Sequence, residues 1–375
     1  MRVALVRGTQ LGAWDLPNYE FGPDVDADLF LSRGYAAEID FAGFGVRRLP
    51  SPADLHTRLG PRFGGGLQLV LGPLQYLVGL ERALDGYDVA HTIDLENPTT
   101  VQAIRARRAG RCRRVIASVM ENIPLKRLPP TAQRTVSAAA AGADHCVAIT
   151  ERARIFLQLA GVPDDRITLL PVGTDVERFT PASEREPGPM RVLSVARLEP
   201  GKGVEDLVIA AGLLARRGVE VEVTFVGGGP LRGRLEEVAA HLGIAGRVRF
   251  ERIPWAEIER AYRAADVFVL ASGPTRNWRE QFGFAVVEAM ASGLPVLVGH
   301  SGSLPEVVGR PESLVAPHDP LGLSEALERL AGDADHRAEL GAWNRQRAEE
   351  QFDLRRLRVR LHELYEAVLA APARD

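Results

Sequence analysis

Short apolar segments rich in β-branched residues recur along the chain, and longer amphipathic segments separate them. The first of these short segments is Arg2–Val6 and a second opening strand is predicted at Arg191–Val195. Because buried parallel strands are short and apolar whereas helices repeat every 3.6 residues, the alternation predicts strands connected by helices. Further strands are predicted at Val89–Ile93, Val115–Val119, His145–Ile149, Val221–Val226, Val248–Phe250, Asp266–Leu270 and Leu294–Val298.

The chain divides into two similar halves, each opened by a strand. The polar, proline-bearing stretch 180–189 lies between them and is the best linker candidate. We predict an N-terminal domain over residues 1–180, a linker over 181–190, a C-terminal domain over 191–352 and a terminal helix over 353–375. Alternating strands and helices predict an α/β fold: two Rossmann-like domains that face each other across a cleft, with ligands at the carboxyl ends of the strands.

Composition narrows the class of protein. The length of 375 residues allows two or three full cores, and a net charge of −3 argues against a dedicated nucleic-acid binder. Cys112 and Cys146 are the only cysteines, which predicts reduced thiols in the cytoplasm, and no Cys/His cluster has zinc-site spacing. The chain opens on a strand rather than a signal peptide, and no apolar run approaches transmembrane length, so we expect a cytoplasmic protein.

Two glutamates frame the most informative segment, which runs from Glu280 to Val296. Glu280 falls in a loop after a buried strand, and Glu288 falls inside the helix that begins near Gly283 and ends at Gly293. Backbone amides at such a helix start favour an anion, most naturally a phosphate. A carboxylate one or two turns into the helix would then reach hydroxyls on the molecule that carries the phosphate.

The sequence E-Q-F-G-F-A-V-V-E-A-M-A-S-G-L-P-V in this segment resembles the donor-sugar motif of retaining GT-B glycosyltransferases of the GT4 type, the glycosyl transferases group 1 family. Four more segments resemble that family in the same order: Leu170–Phe179, Arg191–Gly203, Phe225–Pro230 and Ser301–Val308. The resemblance is good over residues 145 to 310 and loose before residue 140. In the family, a terminal helix packs back across the domain boundary.

The resemblance implies catalytic roles for three residues. Arg197 and Lys202 would stabilise the departing nucleoside diphosphate, because fixed cations bind the developing phosphate charge. Glu280 would hold donor hexose hydroxyls and support a cationic sugar ring. The alternative for each is a solvated loop charge. Contacts to the donor are further implied for Glu288 (ribose hydroxyls), for the backbone of Gln281, Phe282, Gly283 and Phe284, and for Gly228, Ile253 and Gly8.

The first half departs from the family, since the histidine that meets the donor hexose is absent at the end of the strand Val115–Val119. Glu121 or Asn122 would take its place, and His91 and Asp94 lie at the preceding strand end. For each of these four acceptor-side candidates a purely structural role is an equal alternative. The arginines between Arg105 and Arg114 predict either a solvated helix face or a surface that contacts a membrane. The apolar run Leu67–Leu80 likewise predicts either a buried helix or a segment that contacts a membrane.

The function implied is a metal-independent, retaining hexosyltransferase with no cofactor. Its partners would be a UDP- or GDP-sugar and an acceptor hydroxyl on a glycan, a lipid-linked molecule or a small molecule. Two alternatives stay open: an epimerase or phosphorylase on the same fold, and a non-catalytic partner subunit that binds a sugar nucleotide. The sequence leaves the nucleotide, hexose, acceptor and oligomeric state open.

Overall fold

The structure, a computed structural model, describes residues 1–35, 39, 41, 43–54, 75–123, 128–182 and 188–372. The chain forms two compact units, one made of Met1–Val172 with Arg355–Asp375 and the other of Gly173–Leu354. The boundary therefore lies earlier than the predicted end of the first domain at residue 180, and the terminal segment belongs to the first unit. Residues 183–187 of the predicted linker lie outside the described residues.

The first unit contains a sheet of seven parallel strands in the order β3-β2-β1-β4-β5-β6-β7. The strands are β1 (Arg2–Gly8), β2 (Asp26–Ser32), β3 (Gly45–Leu49), β4 (Tyr87–Ile93), β5 (Cys112–Val119), β6 (His145–Ala148) and β7 (Ile167–Leu169). The four predicted strands are present, whereas β2, β3 and β7 were not predicted. Strands β3 and β7 are the sheet edges and bury little, and two aspartates interrupt the apolar pattern of β2.

The second unit contains a sheet of six parallel strands in the order β10-β9-β8-β11-β12-β13. The strands are β8 (Met190–Val195), β9 (Val221–Val226), β10 (Val248–Glu251), β11 (Val267–Leu270), β12 (Val296–Gly299) and β13 (Leu314–Val315). All but the two-residue edge strand β13 were predicted. In both sheets the order reverses beside the opening strand, between β1 and β4 and between β8 and β11, and such a switch point is where open α/β sheets bind ligands.

Helices cover the sheets. The described α-helices are α1 (Leu80–Ala83), α2 (Pro98–Arg108), α3 (Pro130–Gly142), α4 (Glu151–Leu159), α5 (Val204–Arg216), α6 (Arg232–His241), α7 (Glu259–Ala264), α8 (Phe284–Ala291), α9 (Leu304–Val308), α10 (Pro320–Gly332), α11 (Ala334–Gln351) and α12 (Leu354–Ala370). None of the helices in the described ranges is long and apolar enough to cross a bilayer. Residues 67–74 of the apolar run Leu67–Leu80 lie outside the described residues.

Alternate residues of β1 enter two different cores, which shows that both faces of the first sheet are covered. Ala4 and Val6 pack into one core, and Val3 and Leu5 pack into the other. The second of these cores also contains Leu357, Leu361, Tyr365 and Val368 of α12. The terminal helix is thus held by an apolar stripe at helical spacing, which explains why the chain's last segment is part of the first unit.

Candidate functional site

Two loops that follow the neighbouring strands β8 and β11 bring Lys202 and Glu280 together. The ammonium Nζ of Lys202 lies 2.8 Å from Oε2 of Glu280, across 78 residues of sequence. Their side chains are only 15% and 10% exposed. Because β8 and β11 flank the switch point of the second sheet, the pair occupies the place where this fold class binds ligands.

Two further side chains fix this ion pair. Ser272 donates its hydroxyl to Oε2 of Glu280 at 2.9 Å, and the Lys202 ammonium lies 4.4 Å from the centre of the Trp278 ring. Sequence reasoning did not select Ser272 or Trp278. The available signal was position, because Ser272 follows β11 almost directly and Trp278 comes two residues before Glu280.

Glycines allow the loop backbones to approach each other closely. A Cβ on Gly203 would lie 2.0 Å from the carbonyl oxygen of Ala271, and one on Gly302 would lie 2.0 Å from that of Glu280. The amide of Ser303 also donates to the Glu280 carbonyl at 3.0 Å. The segment after the second glutamate therefore holds the backbone of the first.

Arg197 lies in the loop after β8, as predicted, but its side chain is 69% exposed. Its guanidinium forms an ion pair of 2.8 Å with Glu199 in the same loop. An exposed pair of this kind contributes little to stability, so the guanidinium is available to exchange partners. The predicted diphosphate role of Arg197 stays a prediction.

Helix α8 begins directly after the loop that carries Glu280. Its N-cap, Gly283, has a φ of +90°, a conformation that favours glycine. The Phe282 side chain is 2% exposed and packs against Phe284 and Phe352, so any contact it makes to a donor involves its backbone. Gln281 is half-buried. Amides of a first helical turn point toward the helix start, and the predicted phosphate cradle there stays a prediction.

The carboxylate of Glu288 is buried, with the residue 6% exposed. Its Oε1 accepts from the indole N–H of Trp255 at 3.0 Å, and its Oε2 accepts from the hydroxyl of Tyr262 at 2.7 Å. Burial raises the pKa of this carboxyl above its ordinary value, while the two hydrogen bonds lower it. The predicted ribose-binding group is thus satisfied by the protein's own side chains.

Gly228 and Ile253 follow strands β9 and β10, at the same edge of the sheet. A Cβ on Gly228 would lie 3.0 Å from Nη2 of Arg252, so the glycine makes room for that guanidinium. Ile253 is half-buried and precedes Trp255 by two residues. Sequence reasoning selected Ile253 from this segment and missed the position of the Arg252 side chain beside Gly228.

In the first unit, the geometry favours the structural alternative for His91. The imidazole is fully buried, with Nδ1 2.5 Å from the Tyr365 hydroxyl and Nε2 2.7 Å from the Ser118 hydroxyl. Burial holds the pKa of His91 well below its ordinary value, so the ring is neutral. Both ring nitrogens serve the core between β4, β5 and α12.

At the ends of β4 and β5, the carboxylates of Asp94 and Glu121 accept hydrogen bonds from nearby backbone amides. Oδ1 of Asp94 accepts from the amide of Met120 at 2.8 Å, and Oε1 of Glu121 accepts from the amide of Asn122 at 3.0 Å. Glu121 and Asn122 are both buried, so their side chains shape the loop. Asp94 has a φ of +53°, and burial raises its pKa to about 6. Asp94 is therefore the strained, titratable member of the acceptor-side set.

Gly8 ends β1 with a φ of +59°. The space beside it is filled by Gln75, since a Cβ on Gly8 would lie 2.5 Å from the Gln75 amide oxygen. That oxygen also accepts from the amide of Thr9 at 3.1 Å. The predicted diphosphate approach at Gly8 is occupied by a side chain of the same unit.

The arginines between Arg105 and Arg114 divide by role. Arg107 pairs with Asp144 at 3.3 Å, and Arg113 pairs with Asp88 at 3.0 Å. Arg114 is buried and donates to the carbonyl of Val368 in α12 at 2.9 Å and to the carbonyl of Ala371. Arg107 and Arg114 thus serve the fold, whereas the side chain of Arg113 is 62% exposed, and membrane contact by this stretch stays a prediction.

Cys112 and Cys146 are both free and buried, and burial raises the pKa of each thiol to about 12. Across the part of the chain that the structure describes, His, Cys, Asp and Glu side chains form no group of three or more able to hold a metal ion.

Comparison of the sequence with known proteins identifies the family of this chain. Residues 175–347 match the family model described as glycosyl transferases group 1. The chain is 32% identical over 277 residues to the GDP-mannose-dependent alpha-(1-6)-phosphatidylinositol monomannoside mannosyltransferase of Mycolicibacterium smegmatis, covering 69% of this chain and 71% of that relative. It is 38% identical over 220 residues to the D-inositol 3-phosphate glycosyltransferase of Nocardia farcinica, covering 54% of this chain and 48%, about half, of that relative's length.

Solved structures agree on the fold. The sucrose-phosphate synthase of Thermosynechococcus elongatus is similar with a TM-score of 0.76 and 21% identity, covering 99% of this chain and 100% of that one. Anabaena HepE, solved in complex with UDP, is similar with a TM-score of 0.75 and 18% identity, covering 98% and 99%. These likenesses confirm the predicted GT-B fold. The chain belongs to the glycosyl transferases group 1 family.

Proposed function

We propose that this protein is a retaining glycosyltransferase of the GT4 type that transfers a hexose from a UDP- or GDP-sugar to an acceptor hydroxyl. The observation that carries the proposal is the Lys202–Glu280 ion pair, held by Ser272 at the switch point of the second sheet. Lys202 would supply the cation for the diphosphate, and Glu280 beside it would supply the carboxylate for the hexose. The buried carboxylate of Glu288 lies in the helix that starts next to them.

In the proposed reaction the acceptor oxygen forms a bond to the anomeric carbon, and the bond from that carbon to the phosphate oxygen breaks. The electron pair stays on the diphosphate, and the acceptor proton passes to a phosphate oxygen on the same face of the sugar. Lys202 and the α8 amides would stabilise the growing negative charge, and Arg197 would join them by exchanging Glu199 for phosphate. Because amino-acid cations fill this role, we propose that transfer needs no metal.

Glu280 would accept hydrogen bonds from hexose hydroxyls and face the positive charge of the sugar ring. Without substrate its charge is balanced by Lys202 at 2.8 Å. A sugar diphosphate would supply an anion to the ammonium and hydroxyls to the carboxylate, so each partner keeps a complementary contact when substrate enters. Glu288 would accept from the ribose, as a single acidic residue does in dinucleotide folds.

The names of the relatives select the first substrates to test. The Mycolicibacterium relative is described as GDP-mannose-dependent and as acting on phosphatidylinositol monomannoside, and the Nocardia relative as acting on D-inositol 3-phosphate. We propose GDP-mannose and UDP-sugars as donors, and inositol phosphates and mannosylated phosphatidylinositol as the first acceptors. Buried, free Cys112 and Cys146 suit a reducing cytoplasm, where we place the protein.

The test is hexose transfer by the purified chain, with EDTA present and absent, followed by NMR of the new glycosidic bond. We expect retained anomeric configuration and equal rates in both buffers. Glu280→Gln should abolish transfer and keep the fold, whereas Glu328→Gln, which changes an exposed carboxylate paired with Arg217, should leave transfer unchanged. Unchanged turnover in Glu280→Gln would remove Glu280 from the catalytic set.

Arg197→Ala separates transition-state stabilisation from substrate binding. We expect kcat to fall by roughly 10²–10³ with a smaller change in donor affinity, because the guanidinium acts on charge that develops during reaction. The reverse pattern, a large loss of affinity at unchanged kcat, would contradict the catalytic role of Arg197.

A further inference from the structure

Trp255 is hydrogen-bonded to Glu288, the carboxylate on which the proposed ribose contact depends. Its indole N–H donates to Oε1 of Glu288 at 3.0 Å, while Tyr262 donates to Oε2 at 2.7 Å. Glu288 is 6% exposed and Trp255 is half-buried, so the indole lies at the boundary between this carboxylate and the surface.

The two donors to Glu288 are held differently. Tyr262 lies in α7, is fully buried and packs against Phe179 and Phe268. Trp255 begins a single 3-10 turn, Trp255–Glu257, in which Ala256 and Glu257 are exposed, as is Pro254 before it, while Ile258 after it is buried. A short exposed turn can shift at little cost, whereas a buried tyrosine cannot.

The Trp255 ring is positioned from the outer side by a cation. The Arg178 guanidinium lies 4.1 Å from the ring centre and donates to the Trp255 carbonyl. Arg178 is itself fixed by an ion pair of 2.9 Å with Glu259. This arrangement holds the indole beside Glu288.

A ribose hydroxyl reaches Glu288 only where the carboxylate is open to the surface. The carboxylate has lone pairs beyond the two in use, but the residue as a whole is only 6% exposed. Tyr262 is fully buried, whereas Trp255 is half-buried, so Trp255 is the donor that a ligand at the surface can replace.

We propose that Trp255 sets the nucleotide affinity of this site by competing with the ribose for Glu288. The inference rests on the proposed function and deepens it: the nucleoside part of a nucleoside diphosphate sugar replaces the Trp255 indole as donor to Oε1. Binding then breaks one internal hydrogen bond to a carboxylate, and the loss of such a bond corresponds to roughly tenfold in affinity. Trp255 is an affinity-determining residue, and the hydroxyl of Tyr262 keeps Glu288 in position.

The test is the dissociation constant of GDP and of UDP for Trp255→Phe, measured by calorimetry on the full chain. Phenylalanine keeps a ring under Arg178 but donates no hydrogen bond. We expect the nucleotide that binds the wild type to bind the variant roughly three- to tenfold more tightly. The matched control is Trp343→Phe, which also removes an indole lying beside an arginine, Arg310 at 4.6 Å, and should leave affinity unchanged.

Tryptophan fluorescence gives a second readout on the wild type. If nucleotide binding moves the indole of Trp255 toward solvent, emission shifts to the red in the wild type and in Trp343→Phe but not in Trp255→Phe. Unchanged or weaker binding by Trp255→Phe would overturn the competition, since weaker binding would mean that the indole holds Glu288 ready for the ribose. Failure of the wild type to bind either nucleotide or its sugar would overturn the proposed function as well, which keeps the two failures distinct.

Discussion

Lys202 and Glu280 form an ion pair of 2.8 Å between loops that follow adjacent strands of the second sheet. The pair is largely enclosed, and a buried pair that loses one member leaves an uncompensated charge. Its two members are therefore expected to stabilise the fold together as well as to serve the proposed reaction.

We predict that Lys202→Met lowers the stability of the second unit by roughly 3 kcal/mol, the lower end of the range for enclosed pairs. The double variant Lys202→Met, Glu280→Gln should regain most of that loss, because no charge is left unpaired. Denaturant unfolding of the single and double variants measures the difference. The control is Arg217→Met, which breaks an exposed pair with Glu328 and should cost less than about 1 kcal/mol. Equal losses in the single and double variants would contradict the prediction.

Gly302 is expected to tolerate no side chain. It has a φ of +58°, and a Cβ there would lie 2.0 Å from the carbonyl oxygen of Glu280. We predict that Gly302→Ala lowers stability and transfer together, since the clash displaces the backbone that carries Glu280. Gly218→Ala isolates the cost of the backbone conformation, because Gly218 has a φ of +78° with open space around it. The control should lose about 1 kcal/mol and keep its activity. The same behaviour in both variants would show that the loop adjusts to the extra methyl group.

Tyr262→Phe should destabilise the protein more at high pH than at low pH. The Tyr262 hydroxyl bonds to the Glu288 carboxylate and lowers its pKa, which burial raises. Without the Tyr262 hydroxyl the pKa of Glu288 rises further. The loss of stability is therefore fully present at pH values above the pKa of Glu288, and it shrinks as the carboxylate becomes protonated at lower pH. We expect about 1–3 kcal/mol at pH 8 and less at pH 5, measured by unfolding.

The matched control for that prediction is Tyr365→Phe. The Tyr365 hydroxyl also bonds to a buried group, but that group is His91, whose pKa burial holds well below its ordinary value. Because burial disfavours the charged imidazole, the loss of stability in this variant should change much less between the two pH values. A pH-independent loss in Tyr262→Phe as well would mean that Glu288 keeps one protonation state throughout.

Asp94→Asn is predicted to change how stability varies with acidity. The pKa of Asp94 in the folded protein is about 6, above its ordinary value of 3.8, so the folded state binds its proton more tightly than the unfolded state. The stabilisation from that proton is complete below the ordinary value and is lost as pH rises through about 6. Relative to Asp94→Asn, the wild type should lose up to about 3 kcal/mol between pH 4 and pH 7. Parallel pH profiles of the two unfolding midpoints would contradict this.

The sequence alone predicted the features that depend on local pattern. Short apolar runs predicted every inner strand except β2, together with the edge strand β10, and the spacing of Glu280 and Glu288 placed one carboxylate in a loop and the other inside α8. The edge strands β3, β7 and β13 were missed because each is too exposed or too short to leave an apolar signal, and the inner strand β2 was missed because two aspartates interrupt its apolar pattern. Family membership also followed from the sequence, since the motif residues stand in the order that the family requires.

Only the tertiary structure decided which side chains meet. Lys202 reaches Glu280 from 78 residues away, and Trp255 reaches Glu288 from 33 residues away. The return of α12 to the first unit and the enclosure of His91 by Tyr365 depend in the same way on distant segments packing together. Periodicity describes one element at a time, whereas these contacts are fixed by strand order and by close packing of many side chains. For that reason the sequence determined the fold class and the two glutamates, and the structure determined their partners.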